Sequence, residues 1–327
     1  MAARRAAILS TLFTSDPPMA VWRERVDTVR PRTSDLRKIV SIVARAPRYD
    51  AVVLDGSARR DQVAAALLRL WPRGPVLVIA DATWKVPARR PAARARRAAI
   101  RILDGTRITF CVLSSFEVER FAVTWRLRHS RVRFTPWPFT LTESELALPA
   151  ADNGRVFAGG NSLRDYDSLL VAAGGIGAEI DIATDALSPE QLRRCPANVT
   201  VRPIARDDYA ERLRCAAVVV VPLAPRGDRS SGQTTYVNAM ARGKALVITD
   251  APGVRDYVAD GQAGVIVPPG DSARMADAVR GLLEDPARRL SLGRAAREHA
   301  LRELTMTQYA ERLLAIADEA IAASARG

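Results

Sequence analysis

Histidine is nearly missing from this 327-residue chain, which holds only His129 and His299. Cysteine is scarce as well: Cys111, Cys195 and Cys215 are far apart and odd in number. These shortages leave no metal site and no disulfide framework to expect, and they suit a reducing cytoplasm. Lysine has almost vanished in favour of arginine, 3 against 46. No apolar run reaches the length of a bilayer span. Residues 1–13 superficially resemble a secretion signal. Their apolar part is short, and Thr14-Ser15-Asp16-Pro17-Pro18 lacks a small-residue cleavage site, so a first β-strand is expected there. Internal repeats and long low-complexity tracts are absent.

What is present is a large apolar fraction, 48%, enough for two cores. Net charge is +13, unevenly placed. Residues 1–150 hold 27 Lys and Arg against 13 Asp and Glu; the remainder holds 22 against 23. Such asymmetry suggests an anionic partner for the first half. The arginine bias of the whole composition accounts for it equally well.

Along the chain, short apolar runs alternate with amphipathic stretches. Tyr49 to Asp55 and Pro75 to Ala80 read as buried strands. Ser34 to Ala46 and Arg60 to Trp71 read as helices. Alternation of this kind predicts parallel sheets, with ligands at the carboxyl ends of the strands. Asp55 and Asp81 fall at such ends. Arg89 to Leu103 reads as a basic amphipathic helix, either a solvated face or a surface for anionic membrane. Residues 141–154 read as a linker between domains 1–140 and 155–302, with a last helix in 303–327.

The most informative stretch runs from Ser230 to Lys244. The apolar run Ala216 to Pro222 precedes it, and Ala245 to Asp250 follows. Strand, polar loop, helix and strand follow in order, and the helix opens on Ser230, Ser231, Gly232, Gln233 and Thr234. Small polar residues at a helix start leave free N–H groups for an anion. A well-capped helix in an α/β sheet is the plainer interpretation.

Residues 155 to about 320 resemble the donor-binding domain of the retaining GT-B glycosyltransferases, the large group related to bacterial polysaccharide and glycolipid glycosyltransferases. Several segments carry the resemblance: Gly159-Gly160 with Arg164-Asp165-Tyr166-Asp167, Ala239 to Asp250, Gly253 to Val258, Gly261, Gly264, and Val267 to Asp271. The first half matches only in its pattern. The resemblance implies an α/β fold of two Rossmann-like domains facing across a cleft, the last helix crossing back to the first domain. It implies a nucleotide diphosphate sugar as donor substrate and no metal or other cofactor.

On the donor side it points to Gly159, Gly160, Arg164, Pro203, Ile204, Asp228, Ser230, Ser231, Gly232, Gln233, Thr234 and Asn238. Arg164 stands where the family has its phosphate-binding cation, and a guanidinium suits a diphosphate. Its rival role is a surface pair with Asp165 or Asp167. Pro203 and Ile204 stand where the family contacts the base through the backbone. Ser230 and Asn238 replace two glutamates that the family often carries. Asn238 retains hydrogen-bonding capacity for a ribose, and Asp228 is the nearest substitute carboxylate. On the acceptor side Asp81 is the catalytic candidate, orienting an acceptor hydroxyl or taking its proton. A helix cap is its alternative role.

The expected activity is glycosyl transfer to an acceptor glycan, glycolipid or small molecule, in the cytoplasm or peripherally at the inner membrane face. A non-catalytic sugar-nucleotide-binding protein is the alternative. Nucleic acid as partner is disfavoured, because no recognition module accompanies the charge.

Overall fold

The computed structural model describes residues 7–13, 19–29, 34–105, 107–203, 205–224 and 229–326. It divides into two compact units, Met1–Pro136 with Met306–Gly327, and Trp137–Thr305.

The first unit is built from β1 (Ile8–Ser10), α1 (Ala20–Arg23), β2 (Val26–Thr28), α2 (Asp35–Arg45), β3 (Ala51–Asp55), α3 (Arg59–Arg69), β4 (Val76–Ala80), α4 (Arg90–Arg101), β5 (Ile108–Val112), α5 (Ser115–Trp125) and β6 (Val132–Phe134). Its sheet has the order β2-β1-β3-β4-β5-β6 and every pairing is parallel. A parallel sheet needs cover on both faces, which is why its strands are apolar throughout. Alternation along each strand sorts the side chains: Val52, Leu54, Leu77 and Ile79 join one core, while Ala51, Val53, Val76 and Val78 join the other. The first core also holds Trp84, Phe110, Phe121 and Trp125, with edge-to-face contacts at 5.7 and 6.1 Å.

The second unit begins with α6 (Glu143–Ala147) and continues through β7 (Val156–Gly159), α7 (Tyr166–Ala173), β8 (Ile180–Ala183), α8 (Pro189–Arg193), β9 (Val199–Arg202), α9 (Arg206–Cys215), β10 (Val218–Val221), α10 (Gln233–Ala241), β11 (Ala245–Thr249), β12 (Val265–Val267), α11 (Ser272–Glu284) and α12 (Pro286–Glu303). Its sheet order is β12-β11-β10-β7-β8-β9, again all parallel. The chain reverses its winding beside β7 and β10. Ligands of open α/β sheets bind at such switch points.

The final helix, α13 (Met306–Ser324), is part of the first unit. Tyr309, Ala310, Leu313, Leu314 and Ala317 fall at helical spacing and are buried against Ile8, Val53, Val78 and Cys111. Each such leucine contributes about 1.5–3 kcal/mol by burial. Arg25 adds a two-pronged ion pair to Asp318 at 2.6 and 3.0 Å.

Residues 141–154, expected as connecting chain, contain α6. It is closed by a capping box between Thr142 and Glu145. Cationic side chains tie the rest of this stretch to the second unit. Arg214 donates to Pro149 O at 2.9 Å, Lys244 to Ala151 O and Ala216 O, and Arg289 pairs with Asp152 at 2.6 Å. Among the described residues no helix is long and apolar enough to cross a membrane.

Candidate functional site

The loop after β7 makes the centre of the site. Gly160 has φ +112°, a conformation that side chains disfavour. A Cβ on it would lie 2.4 Å from the Arg164 guanidinium, so this glycine makes room for that group. Leu163, at φ +50°, turns the chain back towards the residues after β10. Ala224 N donates to Leu163 O, Asp165 N donates to Pro222 O, and Arg164 bridges to Leu223. These bonds bring Arg164 to the start of α10.

Arg164 is fixed there by three neutral acceptors. Nε donates to Gly159 O at 3.0 Å, Nη1 to Ser162 O at 2.7 Å, and Nη2 to Thr235 Oγ1 at 3.1 Å. Thr235 in turn bonds the Tyr209 hydroxyl at 2.9 Å. Tyr166 donates to Gly160 O at 2.6 Å, and Thr184 donates to the same carbonyl at 3.1 Å. Gly232, at φ +91°, is the N-cap of α10, and among the described residues no side chain caps that helix. A Cβ on Gly232 would lie 3.5 Å from Arg164 Nη1. A helix start and a guanidinium therefore lie side by side at the carboxyl edge of the sheet.

Charge sharpens the picture. No carboxylate among the described residues pairs with Arg164. Asp165 caps α7 through Ser168, and Asp167 pairs with Arg194 at 3.4 Å on the surface. The surface-pair role expected as the rival for Arg164 is therefore not found. Burial lowers the Arg164 pKa, offset by Tyr166, Tyr209 and Tyr236. An arginine nonetheless stays charged, and a desolvated cation without a counterion is costly. Such a group at the carboxyl edge of the sheet marks a functional candidate.

The other expected donor-side residues divide. Gly159 closes against the Tyr209 ring, 2.6 Å from its would-be Cβ. Ser231 donates to Ser162 O at 2.8 Å, which ties the start of α10 to the Arg164 loop. Thr234 is exposed, and Pro203 is exposed just past β9. Ile204 and Asp228 lie outside the described residues. Gln233 turns inward, its amide donating to Ser230 Oγ, and both side chains are buried. Asn238 departs from its expected ribose contact. Its Oδ1 accepts from Thr140 N at 2.8 Å and its Nδ2 donates to Thr140 Oγ1 at 3.1 Å, so both ends of the amide are engaged by Thr140, one on its backbone and one on its side chain.

Four participants were missed. Thr235 rather than Thr234 meets Arg164, because Gly232 sets the helix phase. Tyr209, Ser162 and Arg229 carry no motif. Arg229 donates to Ser162 Oγ at 2.9 Å.

On the first unit, Asp81 follows β4 in the left-handed region at φ +50°. Aspartate tolerates that conformation better than most residues, but it is uncommon enough to mark the position. Asp81 does not cap the next helix, since Arg89 is the N-cap of α4. The neighbouring strand end is closely packed: Gly56 N donates to Ala80 O at 2.6 Å, and Trp84 Nε1 donates to Gly56 O at 2.6 Å. Asp55 accepts from Ser57 N and Oγ at 2.9 and 2.6 Å. Beneath it, buried Asp61 accepts from Thr11 Oγ1 and, at 3.1 Å, from Asp55 N. Burial pushes the Asp61 carboxyl up, against the pull of the Thr11 hydroxyl and the buried Lys38. Of the basic helix, Arg96 lies over Trp125 at 5.9 Å and Arg97 donates to Thr124 O at 3.0 Å. Arg89, Arg90, Arg94 and Arg101 are exposed.

Residues 164–285 match the family described as Glycosyl transferases group 1. D-inositol 3-phosphate glycosyltransferase 1 of Catenulispora acidiphila is 34% identical over 143 residues, 43% of this chain and 31% of that protein. The D-inositol 3-phosphate glycosyltransferase of Geodermatophilus obscurus is 31% identical over 196 residues, 57% of this chain and 40% of that protein. The chain thus spans well under half the length of these curated relatives. Among solved structures, HepE of Anabaena in complex with UDP superposes with a TM-score of 0.67 at 16% identity, over 97% of this chain and 100% of that one. Sucrose-phosphate synthase of Thermosynechococcus elongatus gives 0.65 at 18% identity, over 92% and 84%. At such identities the likeness is one of fold. The two six-stranded parallel sheets are those of the GT-B glycosyltransferases, and the sequence resemblance to that group stands.

Proposed function

We propose that this chain is a GT-B glycosyltransferase that binds a nucleotide diphosphate sugar on its second unit and transfers the sugar to an acceptor hydroxyl. One observation carries the proposal. Arg164 is a guanidinium held by neutral acceptors, without a carboxylate among the described residues, beside the uncapped start of α10. Helix N–H groups and a guanidinium together suit a diphosphate. The glycosyltransferase names of the relatives and the UDP bound to HepE are in keeping with it.

The leaving diphosphate gains charge as the glycosidic bond breaks, and fixed donors aimed at it stabilise that charge. Arg164 supplies the cation that a metal would otherwise supply, so the reaction is proposed to be metal-independent. Retention of configuration is proposed on the family resemblance. The acceptor is assigned to the first unit, with Asp81 as the group that orients or deprotonates its hydroxyl. The basic excess of residues 1–150 favours an anionic or lipid-linked acceptor, in polysaccharide or glycolipid synthesis at the cytoplasmic membrane face.

Thermal-shift screening against UDP, GDP, ADP, CDP and TDP sugars, with and without EDTA, tests the proposal. A ligand at 100 times its Kd stabilises by about 2.7 kcal/mol. One nucleotide series is expected to raise Tm equally with and without chelator. The absence of a shift with every nucleotide diphosphate would overturn the proposal. A second reading, sugar-nucleotide binding without transfer, is favoured by the inward-turned Ser230 and Asn238. Product formation from the stabilising donor excludes it.

A further inference from the structure

The turn that anchors Arg164 also holds a second guanidinium. Arg229 donates through Nη2 to Ser162 Oγ at 2.9 Å. Arg164 Nη1 and Ser231 Oγ both donate to Ser162 O, at 2.7 and 2.8 Å. One residue thus gathers two cationic side chains and the first turn of α10. Among the described residues no carboxylate pairs with Arg164 or with Arg229.

This arrangement is one-sided. Like charges brought together repel, and a hydroxyl and a carbonyl offset that only in part. Where two cations are collected with neutral anchors alone, the counterion has to come from outside, and a partner with more than one negative charge suits both. A diphosphate is such a partner. The Arg229 anchor is also exchangeable. A phosphate oxygen adds the attraction of a full negative charge to the hydrogen bond that a neutral hydroxyl accepts, so a phosphate oxygen within reach displaces Ser162 Oγ.

We infer that Arg229 is a second anion-binding side chain of the nucleotide diphosphate site, with the Ser162 hydroxyl as its resting anchor in the absence of ligand. The inference rests on the proposed donor site on this unit. It assigns the two phosphates two different cations: Arg164 is locked by Gly159, Ser162 and Thr235, whereas Arg229 is held by one bond, to the Ser162 hydroxyl, among the described residues.

Calorimetry with UDP, GDP and ADP, each against its own monophosphate, tests this on wild-type protein and on Arg164→Ala, Arg229→Gln, Arg229→Lys and Ser162→Ala. For the diphosphate that binds, Arg229→Gln is expected to lower affinity about tenfold, the size of one charge-assisted bond. The monophosphate should lose much less, and Arg229→Lys should recover part of the loss. Ser162→Ala keeps the carbonyl that holds Arg164 and Ser231 and removes only the competing anchor, so it should not reproduce the Arg229→Gln loss. If Arg164→Ala weakens binding while Arg229→Gln does not, the inference falls and the donor site stands. If Ser162→Ala reproduces the Arg229→Gln loss, Arg229 merely holds the turn and the inference falls. If no diphosphate binds wild-type protein, the donor site itself falls.

Discussion

Replacing Arg164 with Ala removes the one side chain on which the donor site turns. The free protein loses three hydrogen bonds, to Gly159 O, Ser162 O and Thr235 Oγ1. Each such bond contributes about 0.5–1.5 kcal/mol net. The same change also removes a desolvated cation that pairs with no carboxylate among the described residues, which contributes in the opposite direction. Folding stability should therefore fall by only about 1–2 kcal/mol. Ligand binding should respond more strongly. A charge-assisted bond to phosphate is about 1.5–3 kcal/mol, so nucleotide diphosphate affinity should drop roughly 10- to 150-fold. Arg164→Lys keeps the charge but not the fork that spans Gly159 and Thr235, and it should recover only part. Paired calorimetry and urea unfolding separate the two effects. An unchanged Kd in Arg164→Ala, with folding intact, would remove Arg164 from the site. A stability loss that fully accounts for the weaker binding would make it a purely structural anchor.

Three further outcomes follow from other parts of the chain. Asp61→Ala should cost about 3–5 kcal/mol in urea unfolding, because it strands the Thr11 hydroxyl and removes the negative charge facing the buried Lys38, while Asp55 N–H keeps only its bond to Thr11 Oγ1; a loss below about 1 kcal/mol would show that water replaces the carboxylate. Burial lowers the Lys244 pKa to about 8, so between there and its ordinary 10.5 the unfolded chain binds the extra proton and native stability rises with pH from this group. Lys244→Met should remove that rise, and a stability difference from wild type that stays flat between pH 8 and 10 would refute it. Asn238→Ala should reduce stability by about 1–3 kcal/mol through its lost bonds to Thr140, with nucleotide affinity preserved; weaker binding at unchanged stability would restore the ribose role.

The fold was largely legible because its elements are long enough to show a period. The strands Ala51–Asp55 and Val76–Ala80 and the helices around them appear as apolar runs and stripes. The unexpected elements are those too short to carry one: Ala20–Arg23 and Val26–Thr28 span 4 and 3 residues. The helix Glu143–Ala147 was readable from Thr142 and Glu145 at capping-box spacing, but three prolines between Pro136 and Gly154 masked it. In the site, glycines and the arginine between strand and helix were visible as a local pattern. What stayed hidden depends on distant partners. Thr140 claims Asn238 from 98 residues away, and Tyr209 reaches Thr235 from 26. Local spacing holds no record of either.

Net charge pointed towards the first half of the chain, yet the two guanidiniums proposed to hold the diphosphate lie in the half whose charge nearly balances. The difference is one of accounting for each side chain. Arg214 and Arg289 in the second unit bind carbonyls too, but Glu211 and Asp152 neutralise them. A guanidinium on carbonyls is not by itself a ligand site. In the first unit Arg107 donates to Trp71 O, Gly74 O and Pro75 O, and burial lowers its pKa as it does that of Arg164. Those carbonyls all belong to the turn leading into β4, at the amino edge of the sheet, so Arg107 closes a loop. Arg164 differs in where it stands. It is at the carboxyl edge, beside the winding switch, with an uncapped helix start adjoining it and a second guanidinium on the same turn. Position relative to free helix donors, rather than total charge or burial alone, separates a cation that binds a ligand from one that holds the fold.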